Sequence, residues 1–138
     1  MYLADANIWL EVLLDRAHAD EARRFLDKSQ HLAIHLTDFS LHSIGVILVR
    51  PKRLDLLQSF VEDLQQSGTV GIVGVTAGSL TDVVAASRQH RLDFDDAYQY
   101  IAAEQNNLTL VSLDHDFDHT PRGRMTPADV LKTLTEEP

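Results

Sequence analysis

Four short apolar runs set the plan of this chain: Tyr2-Leu3-Ala4, Leu32-Ala33-Ile34, Val70 to Val75 and Leu108 to Val111. Between them lie segments whose apolar residues recur at the helical period. The run from Leu108 to Val111 is continuous, the pattern of a strand covered on both faces. Strands alternating with helices predict a central parallel sheet with helices on both sides, a three-layer α/β/α sandwich. The chain has 138 residues, 44% of them hydrophobic, enough for one sizeable core. No linker, repeat or low-complexity tract divides it, so residues 1–138 are read as one domain.

The helical segments follow in order. Ile8, Leu10, Val12, Leu13 and Leu14, with Trp9, predict a mostly buried helix capped by Asp5 or Asn7. His18 to Leu26 is more polar, with Ala22, Phe25 and Leu26 facing inward. Leu41, Ile44, Val46, Ile47 and Leu48 predict a buried helix ending near Arg50, because Pro51 disfavours helix at the residue before it. Leu54, Leu57, Val61 and Leu64 make an amphipathic helix that Gly68 ends. Leu80, Val83, Val84 and Ser87 are expected on one face of the next. Phe94, Ala97, Tyr98, Ile101 and Ala102 form a stripe on a helix that Asn106 and Asn107 stop. Thr126-Pro127 opens a last short helix through Val130, Leu131 and Leu134.

Acids stand where these elements change over. Asp5 ends the first strand, Asp96 lies in the first turn of the late helix, and Asp114 and Asp116 follow the last strand. Each has a structural role open to it. Asp5 can cap a helix, Asp93 and Asp96 can form a variant capping box, and Asp114 and Asp116 can serve in a turn. Ligands of open α/β sheets gather outside the carboxyl ends of the strands. Carboxylates converging there suit a hard cation such as Mg²⁺, which takes oxygen ligands. The helix dipole is expected to keep Asp96 ionised even without metal, with Asp5 and Asp114 crowding it.

Composition narrows the classes. A formal charge of −9 opposes a non-specific nucleic-acid coat and suits a cation or a basic partner segment. With no cysteine there is no disulfide framework and no thiolate metal site, and the seven histidines show no HxxxH spacing. No apolar stretch approaches the roughly 20 residues of a membrane span. Charged Asp5 argues against a signal peptide, so a cytoplasmic location and no membrane partner are expected. Trp9, Tyr98 and Tyr100 are read as core. Arg50, Lys52 and Arg53, and Arg122 with Arg124, are read as solvated surface.

Met1-Tyr2-Leu3-Ala4-Asp5-Ala6-Asn7-Ile8-Trp9-Leu10 resembles the opening of PIN domains. Asp95-Asp96-Ala97-Tyr98 and Thr109-Leu110-Val111-Ser112-Leu113-Asp114-His115-Asp116-Phe117 resemble that family's later acidic motifs, in the right order. The match spans nearly the whole chain and is most similar to VapC toxins of toxin–antitoxin pairs. The resemblance implies a Mg²⁺- or Mn²⁺-dependent ribonuclease leaving 5′-phosphate and 3′-hydroxyl ends. It also implies a central parallel sheet, a homodimer and a protein antitoxin. On it, Asp5, Asp96 and Asp114 match metal-site acids, Asp116 an accessory acid, and Asn7 and Ser112 the small polar residues that steady the site.

One position departs from that pattern. The family usually carries a glutamate in the helix after the second strand, and Ser43 aligns there. No glutamate occurs between Glu21 and Glu62. Asp38 is the expected substitute carboxylate, with His42 behind it, and capping is the alternative role for Asp38. The expected reaction is hydrolysis of an RNA phosphodiester by water on a metal held by Asp5, Asp96 and Asp114, with Asp38 or Asp116 as base. The alternative is a catalytically weakened PIN-fold binding or scaffold protein. A phosphohydrolase with a nucleophilic aspartate ranks lower, because the first strand ends in Asp5-Ala6-Asn7 and not in Asp-x-Asp.

Overall fold

The computed structural model describes residues 1–136. In chain order the elements are β1 Tyr2–Ala4, α1 Ala6–Leu13, α2 Ala19–Leu26, β2 Ile34–Thr37, α3 Asp38–Val49, α4 Leu54–Ser67, β3 Val70–Val73, α5 Leu80–His90, α6 Phe94–Gln105, β4 Thr109–Val111 and α7 Pro127–Glu136. Short 3-10 turns precede α5, at Ala77–Ser79, and follow β4, at His115–Phe117. The four strands form one sheet in the order β3-β2-β1-β4, and every neighbouring pair is parallel.

Alternation along the strands divides the core in two. Leu3 pairs with Leu110, and both point to a layer built by α5 and α6 around Val83, Ala86, Ala97, Ile101 and Phe117. Ala4 pairs with Val111, and they face the opposite layer with Ile34, Leu36, Ile8, Phe25, Ile44 and Leu48. The two faces of a strand thus bury different cores, which is the three-layer arrangement. Among the described residues no helix is long and apolar enough to cross a membrane.

Four segments differ from expectation; in α3 it is Val46, expected to be buried, that is 58% exposed. The second strand is Ile34–Thr37, not Leu32–Ile34. Leu32 packs on the core from the loop, while polar His35 occupies the strand. Room for its ring comes from Gly71 of β3, where a Cβ would meet His35 Cδ2 at 2.7 Å. The inward face of α5 is Val83 and Ala86, whereas Val84 and Leu80 are exposed. Phe94 likewise is 47% exposed, and the buried run of α6 starts at Asp96.

Several local expectations agree with the structure. Asp5 caps α1, its Oδ1 accepting the Ala6 N–H at 2.8 Å. Gly68 ends α4 with φ 61, a left-handed conformation that glycine takes at no side-chain cost. Trp9 is buried against Phe60 and donates to the Ala4 carbonyl at 3.2 Å. Arg122 and Arg124 are not merely solvated surface. Arg122 donates to Leu108 O at 3.0 Å and Arg124 to Ser112 O at 2.9 Å, supplying donors to carbonyls beyond the ends of β4.

Thr37 ties β2, α3 and α6 together. It is fully buried and caps α3 by accepting the Ser40 N–H at 2.9 Å, and it bonds the Gln99 amide from α6. Thr37→Val keeps the shape but strands the cap and the amide. We expect a loss of about 2–4 kcal/mol, measurable by urea unfolding. An unchanged midpoint would contradict this bonding.

Candidate metal centre

β1 lies inside the sheet, with β2 on one side and β4 on the other. The chain winds outward through β2 and β3 and then crosses back to β4. The gap between the ends of β1 and β4 is therefore the point where strand order reverses, where open sheets bind ligands. A cleft of about 220 Å³ opens there, walled by Asp5, Asn7, Ser40, Ser43, Asp95, Asp96, Gln99 and Asp114, among others.

Each acid arrives by a separate element. Asp5 immediately follows β1 and is 8% exposed. Its Oδ2 accepts the Ser112 hydroxyl at 2.8 Å and the Asn7 amide at 3.4 Å. Asn7 also donates to Ser112 Oγ at 3.2 Å and accepts the Leu113 N–H at 3.3 Å. This net laces the end of β1 to the end of β4. Asp114 follows β4, its N–H on Ser112 Oγ at 3.0 Å and its Oδ1 accepting the Asp116 N–H at 2.9 Å. Asp96 enters from the first turn of α6, also 8% exposed. Asp93 is the N-cap of α6 by backbone conformation alone, so the capping box with Asp96 does not form. Asp95 Oδ1 accepts the Asp96 N–H instead, at 3.0 Å.

Among the described residues, two carboxylate sets have oxygens close enough to share a cation. Asp96, Asp114 and Asp116 each offer an oxygen within 4.8 Å of the others, as do Asp93, Asp95 and Asp96. Asp96 belongs to both. Asp5 belongs to neither but shares the cleft wall with Asp96 and Asp114. Asp38 is not among the residues lining the cleft. Its Oδ1 accepts the Tyr98 hydroxyl and the Phe39 N–H, both at 2.8 Å, and its carboxylate packs over Gly74. All-oxygen donors of this kind fit Mg²⁺ or Mn²⁺.

A family model described as PIN domain matches residues 2–123. The chain belongs to the PIN domain family. No curated protein sequence matches it. Mycobacterium tuberculosis VapC20, a sarcin-ricin loop cleaving toxin, superposes with a TM-score of 0.74 at 17% identity, over 88% of this chain and 95% of that one. A chain of a toxin–antitoxin complex from Klebsiella pneumoniae gives 0.72 at 21% identity, over 92% and 98%. VapBC2 from Rickettsia felis, bound to a promoter DNA fragment, gives 0.70 at 17%, over 90% and 96%. At these identities the likeness is one of fold.

In this PIN domain the electrostatics of the cleft reverse one expectation. Burial, then the charges of Asp95, Asp114, Asp5 and Asp116, push the Asp96 carboxyl up to about 8. Desolvation and four like charges outweigh the helix dipole, which is worth about 1 kcal/mol. Burial also raises Asp5, to about 6, against the Ser112 and Ala6 bonds that lower it.

Sequence reasoning missed Asp95 and Gln99 as wall residues. A signal for Gln99 was present: it is the one amide in the apolar run Ala97 to Ala103, one helical turn from Asp96.

The metal-free protein should lose stability as pH rises. Folded Asp5 and Asp96 hold protons that the unfolded chain releases near pH 4. Their contribution is full below that and is lost as pH rises through about 6 and about 8. Asp55, Asp118 and Asp129 are lowered by their hydrogen bonds and act in the opposite sense, at more acid pH. Asp96→Asn should flatten the decline and stabilise the metal-free fold at high pH by about 1 kcal/mol or more. Scanning calorimetry in EDTA checks this, and a parent Tm that rises across the same window would contradict it.

Proposed function

We propose that this PIN domain is a Mg²⁺- or Mn²⁺-dependent endoribonuclease and the toxin of a toxin–antitoxin pair. The observation that carries the reading is the convergence of Asp96, Asp114 and Asp116 within 4.8 Å, beside Asp5, at the switch point of a PIN fold. Asp5, Asp96 and Asp114 would hold the cation, with Asp116 beside them. The bound cation supplies a water of lowered pKa and offsets charge on the phosphate and leaving oxygen. Ser112 and Asn7 fix the Asp5 carboxylate so that it need not reorganise. Asp116, exposed beside Asp114, would accept a proton from water. Asp38 is the less favoured base, because Tyr98 already occupies its Oδ1.

A scaffold role has one observation in its favour: the α3 wall of the cleft presents Ser40 and Ser43 and no carboxylate. The raised carboxylates favour the enzyme, since such perturbation gathers at reactive sites. The partners follow the same reading. A homodimer forms through the α3–α4 surface, where Val46 and Val49 are exposed around a groove of about 630 Å³. An antitoxin with a basic segment complements the net charge of −9. The toxin–antitoxin complexes among the structural neighbours support that partner. A cytoplasmic location goes with it.

Purified protein should cleave single-stranded RNA with Mg²⁺ or Mn²⁺ and stop on adding EDTA. Asp96→Asn and Asp114→Asn should each lower kcat about a hundredfold or more. No cleavage with either metal would leave the scaffold reading standing, and a metal-independent rate, or parental rates in both variants, would overturn the metal mechanism. For the dimer, Val46→Asp should give a monomer by light scattering; an unchanged dimer would move the interface elsewhere.

A further inference from the structure

One wall of the acid cleft carries no charge. Ser40 from α3 and Gln99 from α6 line the same cleft as Asp5 and Asp114. Ser40 is fully buried and Gln99 is 3% exposed. Ser40 stands three residues after the N-cap Thr37, the place where a capping box carries Glu or Gln. Here the side chain is a hydroxyl, and a long amide reaches it from the neighbouring helix.

The protons in this network can be followed one by one. Gln99 Nε2 donates to Ser40 Oγ at 2.7 Å and to Thr37 Oγ1 at 3.0 Å, which uses both amide protons. The Thr37 hydroxyl donates to Gln99 Oε1 at 3.3 Å. Thr37 Oγ1 also accepts the Ser40 N–H at 2.9 Å. Ser40 Oγ enters the network only as an acceptor among the described residues. Its own proton is the one left over, on a side chain that lines a cleft of carboxylates.

We infer that Gln99 is a positioning residue: it fixes Ser40 as a neutral hydroxyl donor to the oxygens of the acid cleft, and so sets how tightly the cleft holds a divalent cation. The inference rests on the metal reading above. A hydroxyl donor on this wall orients a ligand oxygen without adding another negative charge to a cleft already crowded by like charge. Partners in this outer layer typically change metal affinity by about 10–100-fold.

The test is Mn²⁺ binding, followed by the electron paramagnetic resonance signal of free Mn²⁺, with unfolding measured on the same samples. Ser40→Ala should weaken Mn²⁺ binding about tenfold. Gln99→Met, which keeps the volume, should weaken it by a similar factor. The double variant should bind no more weakly than either single one, because Gln99 acts through Ser40. Ser40→Cys keeps the shape with a poorer donor, so it should melt near the parent yet bind Mn²⁺ more weakly, and it decides the matter if Ser40→Ala does not fold. Parental Mn²⁺ affinity in folded Ser40→Ala or Ser40→Cys would reduce the network to packing and overturn the inference. Additive losses in the double variant would overturn the role of Gln99. A parent protein that takes up no Mn²⁺ would overturn the metal reading itself, and this inference with it.

Discussion

The pairing of β1 with β4 is the constraint on which the site depends. Three residue pairs, Tyr2 with Thr109, Leu3 with Leu110 and Ala4 with Val111, bring together segments more than a hundred residues apart in the chain. Beyond that ladder the Asp5 N–H still bonds Val111 O at 2.9 Å, and Ser112 Oγ reaches Asp5 Oδ2. A shift of one residue would exchange the two cores and turn Asp5 away from Asp114, because side chains alternate across a sheet. Two buried faces therefore hold the register, and the register holds the acids together.

That arrangement opposes stability. Asp5 and Asp96 are buried, and the acids around them share one cleft, so without a cation each resists ionising. The fold offsets this with local bonds: among the described residues no buried side-chain nitrogen or oxygen lacks a partner. At Asp5 those bonds come from Ser112 and Asn7, which add no negative charge. A cation entering the cleft would invert the balance, favouring ionised carboxylates where the metal-free protein favours protonated ones.

Much of this was legible in the sequence. The apolar runs gave the parallel three-layer plan, and the acids at strand ends pointed to the switch point. Less visible was anything that depends on packing between distant elements. Apolar Leu32-Ala33-Ile34 reads as the strand, whereas the real strand carries His35, for which Gly71 leaves room. The outward turn of Leu80 and Val84 on α5 follows from how that helix meets α6, which periodicity alone does not report. The state of Asp96 is hidden for a similar reason: its place at a helix start is written in the sequence, but the depth of the cleft is not. Asp38 looked like a substitute for the missing glutamate by position, yet Tyr98, sixty residues on, engages it outside the cleft.

The central claim is that Asp5, Asp96 and Asp114, with Asp116, form one divalent-cation site at the ends of β1 and β4. Anomalous diffraction from Mn²⁺-soaked crystals tests it most directly. The account predicts a peak in the cleft, with carboxylate oxygens of Asp96 and Asp114 within about 2.0–2.4 Å of it, lost in crystals of Asp96→Asn. A cleft without a peak at saturating Mn²⁺, or a peak bound away from Asp96 and Asp114, would contradict it.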